Sequence, residues 1–312
     1  MRTVWAWLQV LMGVGIIGIL LWQLGTESFL NGLRVIDLGE VVIALGIGLA
    51  TTVCSAWRWC LIARRLGLNL TLSRAVTDYY RALFLNAVLP AGVLGDVHRA
   101  WQHGREEGDL GRGVRAVVLE RAAGQVVVIA AGVVVLLAMP SIVPPAVQDV
   151  VWVVLAVLAL LAVTFVVGKR AVRRDSGWRR TLDDVRLGLL ARAAWPSVTL
   201  LSVAALTGHV TLFLVAAHAA GSTATVGQLL PLIVLSLLAM SLPLNVGGWG
   251  PREGVAALAF GAAGLGAAQG VTTAVVYGVL AFVAGLPGAG ALLLRAPVLQ
   301  RWEKRSYATS ND

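Results

Sequence analysis

The 312 residues are 58% hydrophobic and only 13% charged, with a mean hydropathy of +0.82, which excludes a soluble globular chain and predicts one integral membrane domain over 1–312. The net charge of +9 rests on 25 basic residues, of which only Lys169 and Lys304 are lysines. These cations cluster between apolar runs, as membrane orientation requires, so no nucleic-acid partner is expected.

In chain order, uncharged runs lie between Val4 and Glu27, from Val41 to Trp57, from Ala122 to Gln148, from Val150 to Gly168 and from Ala193 to Pro251. Each reaches or approaches the ~20 residues that cross a bilayer. The first lacks a small-residue cleavage site and reads as a span, not a signal peptide. Glu27 to Glu40 carries one Arg against three acids and reads as external, whereas Arg64, Arg65 and Arg74 mark the cytoplasmic side. Met139 to Gln148, with Pro140, Pro144 and Pro145 and no cation, is again external. Residues 169–192 hold eight cations against three acids and form the main cytoplasmic loop. Ala219 to Gly227 is external, and the basic tail at 296–312 returns inside, so both termini are cytoplasmic in an inner cell membrane.

Approximate helix starts at Val4, Val41, Val114, Val150, Pro196, Gln228, Pro251 and Val271 predict an all-α polytopic protein of about eight transmembrane helices. A re-entrant or broken excursion near residues 76–104 is added to these. Trp5, Trp7, Trp22, Trp57, Trp59, Trp195 and Trp302 sit near span ends, where interfacial belts place indoles. Cys54 and Cys60 face different sides of one helix, and His209 and His218 of another, so neither pair predicts a disulfide or metal site.

Two interruptions resemble each other. Setting Leu89-Pro90 on Leu242-Pro243 brings Val93 onto Val246, Gly95 onto Gly248 and Arg99 onto Arg252. Entered from opposite sides, they predict an inverted repeat with paired broken helices, the pattern that marks a transporter's midplane site.

Between Ala193 and Leu294 the charged side chains are Arg252 and Glu253 alone, and an ionisable pair in so apolar a stretch points to function. Pro251 suits a first helical position, after the Gly248 and Gly250 break, and that helix start together with Arg252 suits an anion. Asp96 can cap a short helix carrying Arg99 in its early turns. Glu120 and Arg121 either snorkel to the interface or pair across the bundle, for instance Glu120 with Arg252 and Arg121 with Glu253 or Asp96. Tyr79, Tyr80, Arg81 and Asn86 lie before the first break, where they can line a headgroup path or anchor at the interface.

The order Tyr80, Phe84, Asn86, Leu89-Pro90, Gly95-Asp96, Arg99, Glu120-Arg121, Gly124, Leu242-Pro243, Gly247-Gly248, Gly250 and Arg252-Glu253-Gly254 resembles the lysylphosphatidylglycerol synthase transmembrane-region family, the flippase part of multiple-peptide-resistance factors. The resemblance covers most of the chain after the first span, and its most specific element is the Gly-rich Arg-Glu-Gly segment. One departure is Leu94-Gly95-Asp96, where paired glycines would be expected before the acid. Larger relatives continue into a soluble aminoacyltransferase domain; this chain stops at Asp312 and is not expected to be a complete synthase.

The resemblance implies a flippase for a phosphate-bearing lipid, aminoacylated or polyprenyl-linked. Its substrate-binding residues would be Arg252, Glu253, Arg99, Asp96, Glu120, Arg121, Asn86, Gly248 and Gly250, with no catalytic residue, metal or cofactor. The alternatives are a membrane-embedded transferase using Asp96, Glu120 or Glu253 as a base, and a non-catalytic membrane subunit of a separate glycosyltransferase or aminoacyltransferase.

Overall fold

The computed structural model describes residues 34–89, 92–138, 194–240 and 249–292. Every regular element within them is helical: α1 (Leu38–Arg65), α2 (Leu72–Val88), α3 (Leu94–Glu106), α4 (Leu110–Ala138), α5 (Trp195–Ala219), α6 (Val226–Met240), α7 (Pro251–Ala262) and α8 (Ala267–Gly285). Local chemistry fixes the boundaries. At the start of α1 the Asp37 carboxylate accepts from the amides of Gly39 and Glu40, and Glu40 accepts from the Asp37 amide in return. Two helix-end donors are thereby satisfied reciprocally. Arg64 and Arg65 close the other end, where cations suit the dipole.

Four helical stretches are long and apolar enough to cross a membrane: Leu38–Arg65, Leu110–Val135, Trp195–Ala219 and Ala267–Leu292. They answer the starts expected at Val41, Val114, Pro196 and Val271. Those at Val4 and Val150 lie outside the described residues. The start at Pro251 gives a helix of 12 residues, too short to cross alone at 1.5 Å per residue, and that at Gln228 gives 15 described residues up to Met240, beyond which the chain lies outside the described residues. α7 stops because Gly264 and Gly266, at φ 76° and 93°, turn the chain into α8.

The helices fall into two matching sets. One shift of 157 residues carries the starts of α1, α3 and α4, at Leu38, Leu94 and Leu110, onto those of α5, α7 and α8, at Trp195, Pro251 and Ala267. The packing obeys the same exchange. α1 on α4 is mirrored by α5 on α8, α1 on α8 by α5 on α4, α2 on α8 by α6 on α4, and α1 and α5 pack on each other at the centre. This register corrects the sequence alignment by one helical turn. It sets Asp96 on Glu253, each the third residue of its helix, and not Arg99 on Arg252. The Leu-Pro pairs misled because position relative to the helix start, not to the preceding proline, fixes where a side chain points.

Small residues permit the closest approaches. A Cβ on Gly95 would overlap the backbone of Ala82 on α2, and one on Gly288 would overlap the Tyr80 carbonyl. The largest core cluster joins α5, α6, α7 and α8 around Phe213, Phe260 and Tyr277. A second gathers Trp59, Ile62 and Ala63 of α1 with residues of α2, α3 and α4.

Candidate functional site

Glu120, on α4, is fully buried. It accepts hydrogen bonds from Arg58 Nε at 3.1 Å and Arg58 Nη2 on α1, from Arg99 Nη2 at 2.6 Å on α3, and from the Tyr79 hydroxyl at 3.3 Å on α2. Arg58 Nη1 continues to Ser202 Oγ on α5 at 3.0 Å. One carboxylate thus ties three neighbouring helices to its own and, through Arg58, a fourth. Gly124, one turn after Glu120, leaves room for this: a Cβ there would press on the Arg58 guanidinium at 3.2 Å.

Asp96 forms the second node. It accepts from Arg99 Nε at 2.9 Å, Arg121 Nη2 at 2.8 Å and Asn86 Nδ2 at 3.1 Å, while Asn86 Oδ1 accepts from the Gly95 amide at 2.8 Å. Asn86 therefore secures the start of α3 as well as its acid. Burial by itself would raise the Asp96 carboxyl, but the adjacent Arg121 and Arg99 guanidiniums prevail and hold it below its ordinary range. Arg99, 1% exposed, lies over the rings of Trp59 and Tyr79 at 4.7 and 4.5 Å. Such stacking suits a planar, weakly hydrated cation.

The second half holds its own pair. Gly250, at φ 108°, caps α7, and its amide donates to Glu253 Oε2 at 2.7 Å. Glu253 Oε1 accepts from Arg252 Nε at 3.0 Å and from Arg252 Nη2. The Arg252 guanidinium stands over Trp249 and Tyr277 at 5.0 and 5.1 Å, and the Tyr277 hydroxyl meets His209 Nδ1 at 3.1 Å. Gly278 makes the arrangement possible, since a Cβ there would occupy the space of Arg252 Nη2.

The expected pairing of Glu120 with Arg252 is not made, nor that of Arg121 with Glu253. α4 packs against α1, α3, α5 and α6, so Glu120 meets the arginines of α1 and α3, while the cap of α7 turns Glu253 back onto its own neighbour. Snorkelling fails for Glu120, which is fully buried; Arg121 pairs with Asp96, the remaining alternative for it. Gly248 lies outside the described residues. Sequence reasoning missed Arg58, Ser202, Tyr277 and Gly278. Arg58 carried a signal, a lone cation in a helix interior six residues before Arg64, but Trp57 and Trp59 beside it suggested an interface. Trp59 is in fact fully buried.

Between the two pairs lies a cavity of about 900 Å³ lined by Arg58, Asp96, Arg121, Arg252, Asn86, Gln125, His209, Tyr79 and Tyr277. Apolar side chains line it as well, among them Val97, Trp101, Val114 and Val118, which are exposed and carry it to the protein surface between α3 and α4. A volume of this size suits a ligand of drug-like or headgroup dimensions.

Four apolar helices long enough to cross a membrane, with buried ion pairs around a cavity at their centre, define a multi-pass membrane protein whose polar chemistry is turned inward. The chain belongs to the lysylphosphatidylglycerol synthase transmembrane-region family: residues 6–288 match the family described as "Lysylphosphatidylglycerol synthase TM region". No curated protein matches the chain.

Proposed function

We propose that the protein is a flippase that moves a phosphate-bearing lipid between leaflets, the headgroup held in the cavity by Arg58, Arg121 and Arg252 while the acyl chains stay in lipid. The cavity carries this reading: guanidiniums at its centre continue into an exposed apolar face at Val97, Trp101, Val114 and Val118. A lipid needs both environments at once. The membrane-embedded transferase is the poorer fit, because Asp96, Glu120 and Glu253 are all engaged by guanidiniums, which leaves none of them a free oxygen turned to a substrate proton.

In this reading the whole chain is one membrane domain in which the expected spans at Val4 and Val150 join the four long helices to make six, with both termini cytoplasmic, and a separate glycosyltransferase or aminoacyltransferase works beside it. α2 and α3 enter and leave from the cytoplasmic side and α6 and α7 from the outside, as paired re-entrant hairpins of an inverted repeat. The exchange of helix contacts supports this topology, and rocking of one set against the other would provide alternating access. The test is leaflet-to-leaflet movement of a fluorescent anionic phospholipid in vesicles holding only this protein. Arg252→Ala should abolish movement and Arg252→Lys reduce it less, since lysine keeps charge but loses the planar fork. Unchanged movement with Arg252→Ala at equal protein level would refute the role.

A further inference from the structure

We infer that the cavity selects lipids whose headgroup carries phosphate charge and no amine, and so rejects an aminoacylated lipid. The inference rests on the flippase reading for its site but concerns what that site accepts. An ammonium group inside a protein needs a carboxylate, a stack of free carbonyls or an aromatic face. Among the described residues Asp96 is the one acid lining the cavity, and its oxygens already accept from Asn86, Arg99 and Arg121. Glu120 and Glu253, both fully buried, sit behind the guanidiniums of Arg58, Arg99 and Arg252.

The tryptophan and tyrosine faces of the lining are taken too. Arg99 and Arg121 cover Tyr79, Arg252 covers Trp249 and Tyr277, and Arg105 covers Trp101. These are the places where a cationic headgroup would dock, and each holds an arginine of the protein itself.

The balance of charge runs the other way. Among the described residues Arg58, Arg99, Arg121 and Arg252 face Asp96, Glu120 and Glu253, so four guanidiniums against three carboxylates leave one formal positive charge. A donor remains as well: Arg121, which lines the cavity, keeps its Nε buried without a hydrogen-bond partner among the described residues. A buried donor left unsatisfied is costly, and a phosphate oxygen is its strongest complement. One phosphate ester therefore answers both the spare charge and the spare donor, and an added ammonium meets only repulsion.

The phosphate could belong to a glycerophospholipid or to a polyprenyl phosphate, and the experiment separates them. The full chain in phosphatidylcholine nanodiscs is titrated with phosphatidylglycerol, with its lysyl ester and with a polyprenyl phosphate, and binding is read from the rise in unfolding temperature. At least one of the unaminated lipids should bind tenfold or more tightly than the lysyl ester, and the tighter of the two identifies the source. Arg121→Gln, which removes the spare charge, should bring the ratio toward one, whereas Arg121→Lys should largely preserve it. A lysyl ester that binds as tightly as phosphatidylglycerol and the polyprenyl phosphate, or no binding by any of the three, overturns the inference. Movement of the same lipids in vesicles separates the two ideas: selective binding without movement sinks the flippase reading alone, and movement of the ester alone sinks the selectivity alone.

Discussion

Removing the charge of Glu120 is the sharpest perturbation of the buried network. Glu120→Gln keeps the volume and one acceptor oxygen, but it leaves Arg58, Arg99 and Arg121 facing Asp96 as the one carboxylate of their cluster. Because all these groups are withdrawn from solvent or open only to the cavity, the loss should resemble breaking a buried ion pair, about 3–5 kcal/mol. Arg58→Met should cost a similar amount, since it strips Glu120 of two of its donors. The double change removes both members together, and the single effects should therefore fail to add by about 2 kcal/mol. Glu120 and Arg252 share no hydrogen bond or ion pair, so their effects should add to within about 0.5 kcal/mol. Unfolding in mixed micelles of dodecylmaltoside and dodecyl sulfate, followed by tryptophan fluorescence, measures all of these free energies. Purely additive effects at Glu120 and Arg58, or strong coupling between Glu120 and Arg252, would refute the network as drawn.

Three further outcomes are expected. Gly95→Ala forces a methyl group into the Ala82 backbone and should destabilise the folded protein by about 1–3 kcal/mol, whereas Gly46→Ala, with nothing within 4 Å of its Cβ, should leave the unfolding midpoint intact. His103 is buried against Trp59, and burial first and Arg74 second depress its pKa; it therefore contributes stability that is present above the unfolded value of about 6.5 and lost as pH falls below it. His103→Phe should flatten the stability profile between about pH 6.5 and 5, and an unchanged slope would contradict the assignment. In a background lacking Cys54 and Cys60, Thr223→Cys should react with an impermeant thiol reagent in sealed cells and Asn69→Cys should not; the reverse pattern would overturn the proposed orientation.

Charge in an apolar chain is the feature most legible from sequence. Asp96, Arg99, Glu120 and Arg121 stood out because a formal charge far from a loop needs a partner, and the structure gathers all four. Who partners whom was not legible, because it depends on which helix faces meet. The contact of α4 with α1 brings Arg58 to Glu120, and no spacing along the chain records it. Tryptophan position misled for a related reason. Trp57 is 49% exposed, yet Trp59 is fully buried over Arg99, since successive residues of a helix point about 100° apart. Glycines such as Gly278 were illegible because their role is to be absent where another side chain lies.

The 157-residue shift explains why two halves of unequal charge can serve one cavity. It carries Asp96 onto Glu253 and Arg121 onto Gly278. In the first half the third residue of α3 binds Arg121 of the adjacent α4 as well as Arg99 of its own helix. In the second half the position matching Arg121 has no side chain, and Arg252 fills that space from the adjacent helix while binding the acid that matches Asp96. Each half thus sets a guanidinium beside a carboxylate at the same place, one delivered by α4 and the other by α7. Because a buried carboxylate without a cation is costly, exchanging Gly278 for a bulkier residue must expel Arg252 and leave Glu253 uncompensated. The missing side chain on α8 and the arginine on α7 therefore form one feature, and neither can change alone without unbalancing the cavity.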